Sequence, residues 1–121
     1  MILADTSVWL DHWRRPNARL TALLAQNRIA VHPFVVGEIA LRAIAPRAEI
    51  LRRLSRLHAT TIAQQREVLD LIERIPLWGT GIGWVDAHLL ASALLDRIPL
   101  WTLDAALARV AGELGTAVNP G

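Results

Sequence analysis

Neither cysteine nor lysine occurs in this chain of 121 residues. The first absence excludes thiol nucleophiles, cysteine-ligated zinc and disulfides. The second excludes Schiff-base chemistry, a P-loop lysine and any phosphoryl-transfer site that depends on one. Long apolar runs are missing as well. The longest stretches without a charge, such as Ile75 to Val85, fall well short of the roughly 18 residues needed to span a bilayer. A 53% hydrophobic content and a mean hydropathy of +0.32 exclude disorder. The expectation is one soluble globular domain over 1–121. At this length a chain buries about two-thirds of its unfolded surface and needs no disulfide or metal staple.

All thirteen basic residues are arginine, against eleven acids. The pI near 10.9 follows from that choice, because arginine does not titrate until very high pH. A net charge of +2 is not that of a polycation. The charge is nonetheless uneven. Residues 42–66 carry Arg42, Arg47, Arg52, Arg53, Arg56 and Arg66 against Glu49 alone, a net +5, whereas residues 67–83 and 84–121 are each −2. Such a basic run is either a solvated helix face or a nucleic-acid contact.

Short apolar segments alternate with helical patterns. Met1 to Ala4 reads as a strand that no charged leader or cleavage site precedes, so the cytoplasm is the default location. A helix is predicted over Ser7 to Trp13, capped by Thr6 or Ser7, and a second from Pro16 with Leu20, Leu23 and Leu24 at helical spacing. Ile29 to Val31 reads as a strand and Pro33 to about Ala43 as a helix. Pro46 to Leu57 is amphipathic, a minor strand is expected near Thr60–Ile62, and Gln64 to Ile75 is again amphipathic. Pro76 to Gly83 is a glycine-rich loop. Trp84 to Leu95 is a nearly all-apolar helix that must be covered on most sides, Pro99 to Thr102 a strand, and Ala105 to Leu114 the last helix. Thr116–Val118 is a candidate final strand. This alternation predicts an α/β sandwich, with a short, mostly parallel central sheet between layers of helices.

In such sheets the working crevice lies beyond the carboxyl ends of the strands. Asp5 follows the first strand and Glu38 lies in the helix after the second. Asp86 sits in the first turn of the apolar helix, and Asp104 follows the Pro99–Thr102 strand. Each has a purely structural alternative: Asp5 or Asp104 as a helix cap, Asp86 against a helix dipole, Glu38 paired with Arg42. Asp11 and Asp96 read as surface acids. The apolar surroundings of Glu38 and Asp86 argue against four independent structural roles, since burying an unpaired carboxylate costs several kcal/mol. Two carboxylates about 4 Å apart repel by roughly 4 kcal/mol at an effective dielectric near 20. Such a cluster calls for proton sharing or a cation, and all-oxygen ligation selects Mg²⁺ or Mn²⁺ over zinc.

Asp5-Thr6-Ser7, Gly37-Glu38-Ile39, Trp84-Val85-Asp86-Ala87 and Trp101-Thr102-Leu103-Asp104 resemble the four acidic motifs of PIN-domain ribonucleases. The run from Gly81 to Ser92 and the chain length are similar to VapC toxins of bacterial type II toxin–antitoxin pairs. The resemblance covers essentially the whole chain and implies a PIN-like three-layer α/β fold and a divalent-metal-dependent endoribonuclease. It further implies a homodimer, a VapB-type antitoxin that neutralises it within a hetero-oligomer, and no membrane. Carried over, Asp5 and Asp86 are the main ligands of a Mg²⁺ or Mn²⁺ ion, and Glu38 and Asp104 complete the pocket. The hydroxyls of Thr6, Ser7 and Thr102 are either caps or holders of a water or phosphate oxygen.

Other assignments fit less well. Haloacid-dehalogenase-type enzymes want a second Asp where Ser7 stands, and receiver domains want a lysine. The Gly79–Gly83 segment lacks the preceding strand and lysine of a nucleotide loop. His12, His32, His58 and His88 show no i,i+4 metal spacing and read as packing or surface residues. Trp9 and Trp101 read as core, Trp78 and Trp84 as candidates for a partner or RNA contact. The non-enzyme alternative is a catalytically silent module whose acidic pocket receives an arginine from a partner.

Overall fold

The computed structural model describes residues 1–118. Among these, four short strands, β1 (Ile2–Ala4), β2 (Ile29–Val31), β3 (His58–Ala59) and β4 (Leu100–Trp101), form one sheet in the order β3-β2-β1-β4. All pairings are parallel, with Ile2 opposite Ile29, Leu3 opposite Leu100 and Ala30 opposite His58. Successive strand residues point to opposite faces. Every residue of β1 and β2 is nevertheless buried, so helices cover both faces and the three-layer arrangement follows.

Seven helices among the described residues surround the sheet: α1 (Thr6–Arg14), α2 (Ala18–Ala25), α3 (Pro33–Ala40), α4 (Arg47–Leu54), α5 (Gln65–Arg74), α6 (Trp84–Asp96) and α7 (Ala105–Glu113). The expectation for α6 holds, with Ala87 to Ala93 buried without a break. None of the described helices is long and apolar enough to cross a membrane.

Several boundaries differ from those read in the sequence, each for a local reason. Asp5, not Thr6 or Ser7, caps α1 by accepting the Val8 N–H. The second helix starts after Asn17, whose side chain accepts from Leu20 N at 2.9 Å, and Pro16 lies outside it. Helix α3 stops at Ala40 rather than Ala43, the Arg42 N–H turning back to Ile39 O at 3.0 Å in a tighter i→i−3 bond. Helix α4 ends at Leu54, leaving Arg56 and Leu57 beyond its C-cap Ser55. The minor strand is His58–Ala59, since β2 is only three residues long and Thr60 N already donates to Val31 O at 3.0 Å. The expected final strand reduces to one parallel bridge between Leu100 and Ala117.

Candidate active site

The chain passes from β1 to β2 to β3 on one side and then crosses to place β4 on the other side of β1. Strand order reverses between β1 and β4, and in sheets of this kind the carboxyl ends at that reversal are where ligands bind. Asp5 leaves β1 at that point, and its backbone N–H donates to Trp101 O at 3.0 Å. The residue is 5% exposed. Ser7 Oγ donates to one carboxylate oxygen and Thr102 Oγ1 to the other, both at 2.5 Å. Each hydroxyl spends its single proton on Asp5 and accepts a backbone N–H from the loop after β4. Leu103 N donates to Ser7 Oγ at 2.9 Å, and Asp104 N to Thr102 Oγ1 at 3.0 Å. The two hydroxyls therefore fix the Asp5 carboxylate and tie the Asp104-bearing loop to it. Nothing in the sequence chose between cap and ligand holder for them. The D-x-S and T-x-D spacings carried the only signal, legible once β1 and β4 are known to be neighbours.

Three of the four acids bond to the start of a helix, Asp5 at α1. Asp104 caps α7, accepting from Leu107 N at 2.9 Å through one oxygen. Asp86 accepts the Gly83 N–H at the start of α6, at a long 3.4 Å. Glu38 does not pair with Arg42. It accepts instead from Thr6 Oγ1 at 3.2 Å, which links α3 to the residue after Asp5. Asp96 lies apart from these four and accepts from Thr61 N at 2.8 Å, holding the exit of β3.

Electrostatics shows that the four acids share one field. The Asp86 carboxyl is pushed above its ordinary value, first by burial and then by the negative charges of Asp104, Asp5 and Glu38; the Gly83 N–H opposes the shift. Among the described residues no arginine or histidine comes within ion-pair distance of any of the four, the ion pair there being Arg53–Glu49 on α4. No three acidic or histidine side chains among them stand close enough to enclose one ion. The donor set is nonetheless that of a hard divalent cation: four carboxylates, no sulfur and no imidazole in the coupled group.

Two of the histidines, His32 and His88, lie inside the fold. His32 is fully buried and His88 nearly so. Trp9 is buried, as expected, and stacks on Trp13 with centroids 5.8 Å apart. Trp101 is only half-buried and carries the Arg19 guanidinium over its ring at 5.5 Å. Trp78 and Trp84 are exposed. The glycine loop before α6 has no strand directly ahead of it, as a nucleotide-binding loop would require.

A parallel four-stranded α/β sheet with four acids at its switch point defines a class, and the comparison with known families agrees. The sequence pattern of the PIN domain matches residues 2–113. The chain belongs to the PIN-domain family. It is 44% identical over 119 residues, 98% of this chain and 96% of the relative, to Ribonuclease VapC32 of Mycobacterium tuberculosis, in both strains CDC 1551 and H37Rv. The crystal structure of PAE2754 from Pyrobaculum aerophilum superposes with a TM-score of 0.61 at 16% identity, over 97% of this chain and 87% of that one. That similarity concerns the fold.

Proposed function

We propose that the chain is an endoribonuclease that hydrolyses RNA phosphodiester bonds with a Mg²⁺ or Mn²⁺ ion held by Asp5, Glu38, Asp86 and Asp104. One observation carries the reading: a partly buried carboxylate, Asp86, is coupled to three others with no cationic side chain at ion-pair distance among the described residues. A divalent cation is the simplest group that turns this repulsion into binding. When bound, its contribution is Lewis-acid polarisation of the scissile phosphate and acidification of the attacking water.

The chain's own residues divide the remaining tasks. Asp5, clamped by Ser7 and Thr102, supplies an oriented pair of oxygens at the carboxyl end of β1. Asp86 stands at the start of α6, where it accepts the Gly83 N–H and senses the negative charges of Asp104, Asp5 and Glu38. Glu38 and Asp104 are exposed, so they face the side from which a polyanion arrives and orient rather than enclose. No nucleophilic side chain is needed, in keeping with a chain without cysteine or lysine.

The relatives carry the name Ribonuclease VapC32, which supports the same assignment together with a VapB-type antitoxin; a homodimer and a cytoplasmic setting complete the proposal. A second reading, a silent module whose pocket receives a partner's arginine, draws on the same uncompensated charge. Incubating the purified protein with RNA and Mg²⁺ or Mn²⁺, with EDTA and Asp86→Asn as controls, separates them. Metal-dependent cleavage lost in Asp86→Asn supports the enzyme. Cleavage that survives EDTA, or none with either metal, overturns it.

A further inference from the structure

His32 occupies the junction between β2 and α3, and both of its ring nitrogens are engaged. Nδ1 accepts the Phe34 N–H at 2.9 Å, which caps α3. The ring proton therefore sits on Nε2, which donates to Ser92 Oγ of α6 at 3.0 Å. Both residues are 0% exposed. Helix α3 carries Glu38 and helix α6 carries Asp86. Glu38 lies six residues after His32 and Asp86 six residues before Ser92, each about 9 Å along its helix at 1.5 Å per residue. A file of rings runs beside the bond: His32 to Phe34 at 4.9 Å, Phe34 to His88 at 4.8 Å and His88 to Trp84 at 4.7 Å between centroids. This file joins the start of α3 to the first two turns of α6.

We propose that the His32–Ser92 hydrogen bond is a strut that sets the separation of Glu38 and Asp86, making His32 and Ser92 positioning residues of the acid site. The inference rests on the four-acid metal reading. The acids cannot set that separation themselves, because they repel, and no salt bridge or direct hydrogen bond joins Asp86 to Glu38 among the described residues. A buried, directional bond from the start of α3 to the middle of α6 supplies what the acids lack.

Mn²⁺ binding, followed by calorimetry on the full chain, provides a test that does not depend on turnover. Ser92→Ala removes the acceptor at a helical position where alanine is well tolerated. His32→Asn keeps an acceptor near the Nδ1 position but loses the donor to Ser92, whereas His32→Gln places an amide donor near the Nε2 position. We expect Ser92→Ala and His32→Asn each to weaken Mn²⁺ binding about tenfold, the lower end for removal of a group that orients metal ligands. The double variant should be no worse than either single one, and His32→Gln should bind nearly as wild type does. RNA cleavage should lose kcat with KM unchanged. Melting temperatures measured alongside isolate any general loss of stability, which by itself would leave the Mn²⁺ constant unmoved. Wild-type Mn²⁺ affinity in a folded Ser92→Ala, with binding lost in Asp86→Asn, removes the strut and leaves the metal site. Equal binding by wild type and Asp86→Asn, or none by wild type, removes the four-acid reading and the strut with it.

Discussion

Lowering the pH should destabilise this protein through His32 before most of its carboxylates matter. Burial, reinforced by the nearby charge of His88, lowers the His32 pKa from 6.5 to about 4, with Asp96 opposing. The geometry agrees, because an Nδ1 that accepts the Phe34 N–H cannot also carry a proton. A histidine held neutral in the folded state contributes stability that is fully present above its unfolded pKa. It is lost as the pH falls from 6.5 towards 4, where the unfolded chain binds a proton that the folded one does not. At 1.36 kcal/mol per unit, the loss is about 2 kcal/mol at pH 5 and about 3 kcal/mol at pH 4. Against a typical domain stability of roughly 5–15 kcal/mol that is a large fraction. His88, also lowered by burial, acts in the same direction. Asp86, whose carboxyl is raised, acts oppositely: its contribution is recovered as the pH falls and the acid takes up a proton. Both effects cancel in a comparison of wild type with His32→Gln, which cannot titrate. Urea unfolding of the two proteins at about pH 7.5, 6, 5 and 4 measures the difference. Their stability gap should shrink by about 2 kcal/mol between roughly pH 7.5 and pH 5. A gap constant across that range would show that His32 is protonated in the fold, and the tautomer and cap would both be wrong.

Other expectations follow from the site. Asp86→Asn should abolish cleavage while leaving the melting temperature of the metal-free protein unchanged or higher, because it removes a charge from a repulsive group; wild-type turnover would remove the assignment. Asp5→Asn should also be inactive but, unlike Asp86→Asn, should cost about 2 kcal/mol, since an amide nitrogen cannot accept from the Ser7 or Thr102 hydroxyl. Denaturant titration of the two variants would show whether that contrast exists. Mg²⁺ or Mn²⁺ should raise the melting temperature of wild type by mass action and not that of Asp86→Asn; equal shifts would place the ion elsewhere. Arg53 is paired with Glu49 at 2.6 Å, whereas Arg52 and Arg56 are exposed. If they hold the RNA backbone, Arg52→Gln with Arg56→Gln should flatten the salt dependence of RNA affinity, the slope falling by roughly 0.7 for each phosphate no longer neutralised. Cleavage-site choice should not change, and an unaltered slope assigns these arginines to solvent or another partner.

Much of the molecule was legible in the chain itself, because local patterns decide local structure. Three-residue apolar runs such as Ile29–Val31 read as strands, and the nearly all-apolar Trp84–Leu95 required a helix covered on most sides. The four acids stood out by their apolar sequence neighbours, but the cost of burial applies only to Asp5 and Asp86: Glu38, despite Phe34–Val36 beside it, is exposed on α3. Boundaries were less legible. Whether Asp5 or Ser7 caps α1, and where β3 begins, depends on which backbone groups neighbouring segments leave free.

Three further features depended on the tertiary structure, each for the same reason: they join residues far apart in sequence. Thr102 reaches Asp5 across 97 positions only because β4 pairs with β1. Glu38 meets Thr6 because α3 packs on α1, while Arg42 lies beyond the end of α3 and is not held at helical spacing. His32, one unremarkable imidazole among four, acquires its neutral state and its bond to Ser92 only where α3 and α6 close over it. The sequence alone determined which residues are ionisable, apolar or able to cap. Their protonation, partners and separations depend on burial and non-local distance, and these exist only once the chain has folded.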